Sequence, residues 1–335
     1  MTTPQPEGWR KRLRAAVLLA AAHLLPCLAA HASTITDRTL ARPEGQRHYL
    51  VVEPDRLARS HRPLVILLHG KGNNGALMVG MDSFIGYRPQ DWIRMAEREH
   101  VLLIAPDGMK AIDGKTAWND CRGDAPTNPV SDDVGFISDL ISVAVNELDA
   151  DPERIYVFGS ANGGAMAYRL GIELAPRLAA IGVQGALMPA LSRCKPPTRP
   201  LSVLVMHGTA DRIAPYEGGQ VGNWLMRGRG SGIGVEESVA MWRRAAGLPE
   251  LAGTYRIPHL QSSDPTYATR YIWGQDPARV QIEFMRIDGG GHAPSSKQDD
   301  LPWILRKLAG NMNHDVDTAE EAWIFFRDKR TSNRP

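Results

Sequence analysis

Three widely separated positions carry the chemistry this sequence can offer, and the first of them lacks its functional group. Ile155-Tyr156-Val157-Phe158 runs into Gly159-Ser160-Ala161-Asn162-Gly163-Gly164, an apolar strand pattern followed by a glycine-flanked turn and a helical pattern. In a Gly-x-Ser-x-Gly turn the central serine stands on a strained bend that small neighbours allow, and its hydroxyl attacks an acyl carbon. Laid on Gly159 and Gly163, that frame centres on Ala161. Alanine has no hydroxyl, so no acyl-enzyme forms through it. Ser160 lies one residue early, where alternation at the end of a strand turns the side chain the other way. Taken alone, the segment also suits an ordinary strand-to-helix turn.

Further signals extend the pattern. His69-Gly70-Lys71-Gly72 follows the apolar run Leu64 to Leu68, in the place of a loop that supplies one backbone N–H to an acyl oxyanion. Lys71 and Asn162 are therefore the expected N–H donors, with the Lys71 side chain left in solvent. Leu201 to Met206 runs into His207-Gly208-Thr209-Ala210-Asp211. That brings a carboxylate to the C-terminal end of a strand, where open α/β sheets build their sites. After Val280 to Met285, Asp288-Gly289-Gly290-Gly291-His292 sets an imidazole on a loop. Asp211 is the expected acid and His292 the general base. Singly, Asp211 fits a turn and His292 a surface loop, but their order behind position 161 is that of a Ser–Asp–His triad. His69 and His207 read as buttresses of their loops, whereas His100, His259 and His314 have no matching context. No His-Glu-x-x-His or comparable metal spacing occurs, and no cofactor is implied.

These residues need a scaffold that delivers them to one edge. Leu64 to Leu68, Val101 to Ile104, Ile155 to Phe158, Ala180 to Val183 and Leu201 to Met206 are continuous apolar runs, the pattern of strands covered on both faces. Asp133 to Leu148 and Gly163 to Leu174 carry apolar residues at helical spacing. The alternation predicts an α/β fold with a doubly wound, mostly parallel sheet and helices on both faces. Val280 to Met285 is a later strand. Gly218 to Gly234 reads as a long loop at the rim, ahead of a helix over Val235 to Ala246. Thr318-Ala319-Glu320-Glu321 has capping-box spacing, and Ala319, Trp323 and Phe326 fall on one face of the helix that follows. No internal repeat and no second module is read, so 33–335 is expected to be a single catalytic domain.

Trp118-Asn119-Asp120, Asp132-Asp133-Val134-Gly135-Phe136-Ile137, the run Tyr156 to Arg169, His207-Gly208-Thr209-Ala210-Asp211 and Gly289-Gly290-Gly291-His292 together resemble the secreted polyhydroxybutyrate depolymerase and feruloyl/acetylxylan esterase group of α/β-hydrolases. The likeness extends over most of the sequence after residue 32. It implies an α/β-hydrolase fold, ester substrates, and Trp118 and Asp120 near the mouth of the site. Members carry serine at the position matching Ala161. Deliberate replacement and natural loss both fit that departure, and a ligand-binding protein that no longer turns its ligand over is the alternative to an esterase. From the residues themselves, Asp132 and Asp133 also suit the first turn of a helix capped by Ser131.

Bulk properties place the chain outside the cell membrane. Trp9-Arg10-Lys11-Arg12-Leu13-Arg14 precedes an apolar run from Ala15 to Ala30, and Ala30-His31-Ala32 supplies a small-x-small cleavage pattern. Residues 1–32 therefore read as a secretory signal, with export to the periplasm or medium. The run is short for a stable membrane anchor, and a lipoprotein reading at Cys27 meets Pro26 where a small residue belongs. Loss of Arg10, Lys11, Arg12, Arg14 and Glu7 takes the net charge from +2 to about −1, which implies no nucleic-acid partner. Cys121 and Cys194 remain, an even pair in an oxidising compartment and hence a candidate disulfide, with two free buried thiols as the alternative. With no appended polymer-binding module read, the expected partner is a small or short oligomeric ester; the oligomeric state is not legible.

Overall fold

The computed structural model describes residues 33–55, 60–223 and 226–333; the expected leader, 1–32, lies outside them. Ten strands form the main sheet: β1 (Thr34–Arg42), β2 (Gly45–Glu53), β3 (Arg62–Leu68), β4 (Leu102–Pro106), β5 (Ala150–Ser160), β6 (Ala180–Gln184), β7 (Ser202–Gly208), β8 (Gly253–Arg256), β9 (Tyr267–Trp273) and β10 (Ile282–Asp288). Their spatial order is β1-β2-β4-β3-β5-β6-β7-β10-β9-β8. The central strands from β4 to β10 pair in parallel, and antiparallel strands extend both margins.

Successive side chains of a strand point to opposite faces, and here both faces are covered. Leu64, Ile66, Ile155 and Val157 pack with residues of α3 (Asp133–Glu147), α4 (Asn162–Glu173) and α5 (Val235–Ala245). Val65, Leu67, Tyr156 and Phe158 pack with Trp92 and Met95 of α2 (Asp91–Glu99) and with Trp323 and Phe326 of α7 (Thr318–Phe326). This two-sided burial is why the central strands read as unbroken apolar runs. Two shorter helices, α1 (Gly75–Met78) and α6 (Trp303–Ala309), lie in the connections.

The structure corrects several local expectations. Asp132, not Ser131, caps α3 by accepting the Gly135 N–H at 2.9 Å. Asp133 instead turns inward, fully buried, onto Arg47 of β2 at 2.7 Å. Gly218–Gln220 pairs antiparallel with Ser231–Ile233, so the predicted long loop is closed at its base by a ribbon too short to leave an alternating pattern. No capping box forms at α7: Asp317 is the cap residue, Thr318 donates to the Ser295 carbonyl, and Glu321 is drawn to Arg270. The β1–β2 hairpin was not expected, because Thr34–Arg42 is rich in Thr, Asp and Arg and buries no side chain fully.

Candidate active site

All three sequence-derived positions meet at the C-terminal edge of the parallel strands. Ala161 stands between β5 and α4 with φ 53° and ψ −117°, a conformation that costs a non-glycine residue on the order of 1–3 kcal/mol. The turn is held from behind. A methyl on Gly163 would lie 2.1 Å from the Leu68 carbonyl oxygen, so only glycine lets α4 approach β3 this closely. Gly70, on the loop after β3, sits over the turn: a methyl there would stand 3.3 Å from Ala161 Cβ.

His292 Nδ1 donates to Asp211 Oδ2 at 2.8 Å, and the buried Asp211 also accepts the Ile213 and Ala214 N–H groups at 2.8 Å each. Burial pushes the Asp211 carboxyl up, but His292 and these donors outweigh it and hold it below the usual carboxylate range. His207 supports the same loop by donating from Nε2 to the Ala214 carbonyl at 2.8 Å, and burial holds its pKa low. The imidazole of His292 packs against Gly185, where a methyl would be 3.2 Å from its Cε1 and Nδ1. The Ser160 hydroxyl is bonded to the Gln184 carboxamide oxygen and not to His292. Gln184 in turn donates to the His292 carbonyl at 2.7 Å and fixes the loop from the far side.

The expected oxyanion donors lie on either side of Ala161. Asn162 is the first residue of α4, so its N–H has no acceptor within the helix. Lys71 lines the same cleft as Ala161, Asn162 and His292. Its side chain is not in solvent as expected: it is 3% exposed, ion-paired with Asp113 at 3.0 Å, and bonded to the Thr127 carbonyl. His69 behaves as predicted, donating to the Gly70 carbonyl and accepting the Gly108 N–H.

Trp118 and Asp120 do not stand at the mouth of the site. Both are buried, at 0% and 3% exposure. The Trp118 N–H donates to Asn162 Oδ1 at 2.7 Å, and Asn162 Nδ2 donates to Asp120 Oδ2 at 2.7 Å. They therefore brace Asn162 from beneath, and Asp120 also holds Arg122. Cys121 and Cys194 are joined, with Cα atoms 5.4 Å apart, which ties this bracing loop to the segment after β6. Among the described residues one group, Cys121, Glu173 and Cys194, gathers metal-type donors, and its two sulfurs are bonded to each other.

Two clefts open from Ala161 and His292. One encloses about 220 Å³ and is apolar, walled by Leu77, Phe84, Trp92, Leu301 and Leu305, with Tyr87 and Asp91 also in its lining. The other is narrow and mixed, with Lys71, Arg122, Asn128 and Arg229 set among Ala165, Leu187, Ile213 and Val221.

A family described as phospholipase/carboxylesterase matches residues 48–225, just over half of the chain. The chain belongs to the phospholipase/carboxylesterase family. Curated proteins resemble it at low identity. It is 26% identical to the bifunctional acetylxylan esterase/xylanase XynS20E of Neocallimastix patriciarum over 78% of this chain and 33% of that protein. It is 34% identical to feruloyl esterase B of Piromyces equi over 60% of this chain and 35% of that protein. The chain thus spans about a third of the length of these two relatives. An acetyl xylan esterase from Aspergillus awamori superposes with a TM-score of 0.53, at 17% identity, over 77% of this chain and 94% of that one. The carboxylesterase family is one of carboxylic ester hydrolases, and the sheet described above is its α/β-hydrolase fold.

Within this carboxylesterase frame, sequence reading missed Gln184, Arg122 and Arg229. Gln184 ends an apolar strand and belongs to no motif. The cations sit in loops without regular periodicity, and a lone Arg between Gly228 and Gly230 was the one visible hint.

Proposed function

We propose that this chain has the scaffold of an exported serine-type carboxylic ester hydrolase whose nucleophile position is Ala161, which leaves it inactive or nearly so as it stands. The observation that carries this reading is the backbone of Ala161. Its positive φ and the glycine-only contact behind it belong to a turn built to present a side chain, beside a His292–Asp211 pair that is complete. With serine at 161, Oγ attacks the ester carbonyl, His292 Nε2 takes its proton and later returns it to the leaving alcohol, and Asp211 holds the imidazole tautomer. The Lys71 and Asn162 N–H groups receive the oxyanion. Hydrolysis of the acyl-enzyme by water, with His292 as base again, completes the cycle. The names of the relatives point to acetylated or feruloylated polysaccharide esters, and the polyhydroxybutyrate-type resemblance to short hydroxyacid oligomers.

Ala161 itself favours a second reading, a binding protein that retains an esterase pocket without turnover. The two readings part on Ala161→Ser assayed with p-nitrophenyl acetate. The hydrolase reading expects a rise of at least ~10³-fold over the unaltered chain. An unaltered chain that turns over at roughly 10 s⁻¹, an ordinary enzyme rate, overturns the placement of the nucleophile. A folded Ala161→Ser variant that stays inert leaves the binding protein standing. Export of the chain rests on residues 1–32 and would be checked by the mature N-terminus, expected at Ser33.

A further inference from the structure

Three cations, Lys71, Arg122 and Arg229, line the second cleft, and two of them are ion-paired. Lys71 is paired with Asp113 and Arg122 with Asp120. Arg229 lines the cleft with Ala161, Asn162 and His292, and among the described residues no side chain or carbonyl bonds its guanidinium. Burial, and then Arg122, push its pKa below the ordinary value, with Asp113 acting weakly the other way. A guanidinium stays charged in proteins nonetheless.

The backbone that carries Arg229 is pinned on both sides. The Gly228 carbonyl accepts the Thr127 hydroxyl at 2.6 Å, and the Gly230 carbonyl accepts the Val221 N–H at 2.8 Å. A half-buried guanidinium with no bonded partner among the described residues, carried on a pinned backbone, can meet a planar anion with two parallel N–H···O bonds. The opposite cleft cannot take that anion. Apart from the shared His292, its one ionisable acid or base of ordinary charge is Asp91, a carboxyl, so an anionic substrate has a single orientation.

We propose that Arg229 binds a carboxylate carried by the ester ligand, so that the preferred ligand is a half-ester: apolar arm in the 220 Å³ cavity, ester at position 161, carboxylate on Arg229. This rests on the reading of position 161 as the reaction centre.

Because Ala161 prevents turnover on that reading, affinity can be measured directly on the unaltered protein. Titration calorimetry with monoethyl adipate and diethyl adipate is expected to show the half-ester binding roughly ten- to a hundredfold more tightly, the worth of a charge-assisted pair. The preference should shrink with rising salt. Arg229→Gln should abolish it and Arg229→Lys should keep part of it, with circular dichroism reporting the fold of each. Equal affinities for the two esters, or a preference that survives Arg229→Gln in a folded protein, overturns the proposal and leaves the ester site intact. If neither ester binds, the proposal falls, and turnover of p-nitrophenyl acetate by Ala161→Ser decides separately whether the ester site falls with it.

Discussion

The two sides of the candidate site differ in what they retain. On one side His292 and Asp211 keep both functional groups and framework: the carboxylate accepts three N–H donors, the imidazole is backed by Gly185, and the His292 backbone carbonyl is held by Gln184. On the other side the turn at Ala161 keeps the framework without a functional group. Its backbone still adopts φ 53°, although alanine gains nothing from that conformation. The difference teaches that the turn is set by its neighbours, by Gly163 against β3 and by α4 leaving β5, and not by the side chain it displays. Chemistry and geometry are separable here, and experiments can remove either one.

The largest effect should come from removing chemistry on the complete side. On the Ala161→Ser background, His292→Ala and Asp211→Asn should each lower kcat/KM for p-nitrophenyl acetate by several powers of ten, on the order of 10⁴ for loss of the orienting carboxylate. Retention of most activity in either folded variant would place the acid–base pair in another part of the molecule. Next in size is the tether of the bracing loop. The Cys121–Cys194 bridge spans a sequence separation of 73, and chain entropy gives it about 4 kcal/mol, less any strain. Denaturant unfolding with and without reductant measures it; two titratable thiols in the exported, unreduced protein would refute the bridge.

Removing geometry instead, Gly163→Ala drives a methyl into the Leu68 carbonyl. It should cost roughly 1–3 kcal/mol of stability and also prevent Ala161→Ser from gaining activity. A double variant as active as Ala161→Ser alone would show that the turn does not need this close approach.

The smallest expected effect lies in the apolar cleft. Asp91 is buried there, and desolvation first, then Asp317 and Asp299, raise its pKa to about 6. A carboxyl whose folded pKa lies above its unfolded value favours the fold most when protonated. Its contribution is fully present below about pH 4 and is lost as the pH rises through 6. Asp91→Asn should therefore gain stability relative to the parent over that window, by up to about 3 kcal/mol at pH 7. A pH-independent difference between the two melting curves would contradict the assignment.

Sequence reading located what depends on local pattern. The runs around Leu64, Ile155 and Leu201 became central strands because each is buried on both faces, and Asp211 and His292 came together because strand ends converge at one edge of a parallel sheet. It failed where a side chain's fate depends on remote partners. Trp118 and Asp120 look like cleft residues until Asn162, far along the chain, is seen resting on them. Lys71 looks solvated until Asp113 and Thr127 fold over it. The margins of the sheet were illegible for a different reason. Thr34–Arg42 buries no side chain fully, so no apolar periodicity marks it.

The bend at Ala161 also has a genetic meaning. Every alanine codon becomes a serine codon by exchange of its first base. The backbone already holds the posture that the proposed nucleophile requires, so on the hydrolase reading a single base exchange separates the inert turn from the reactive one.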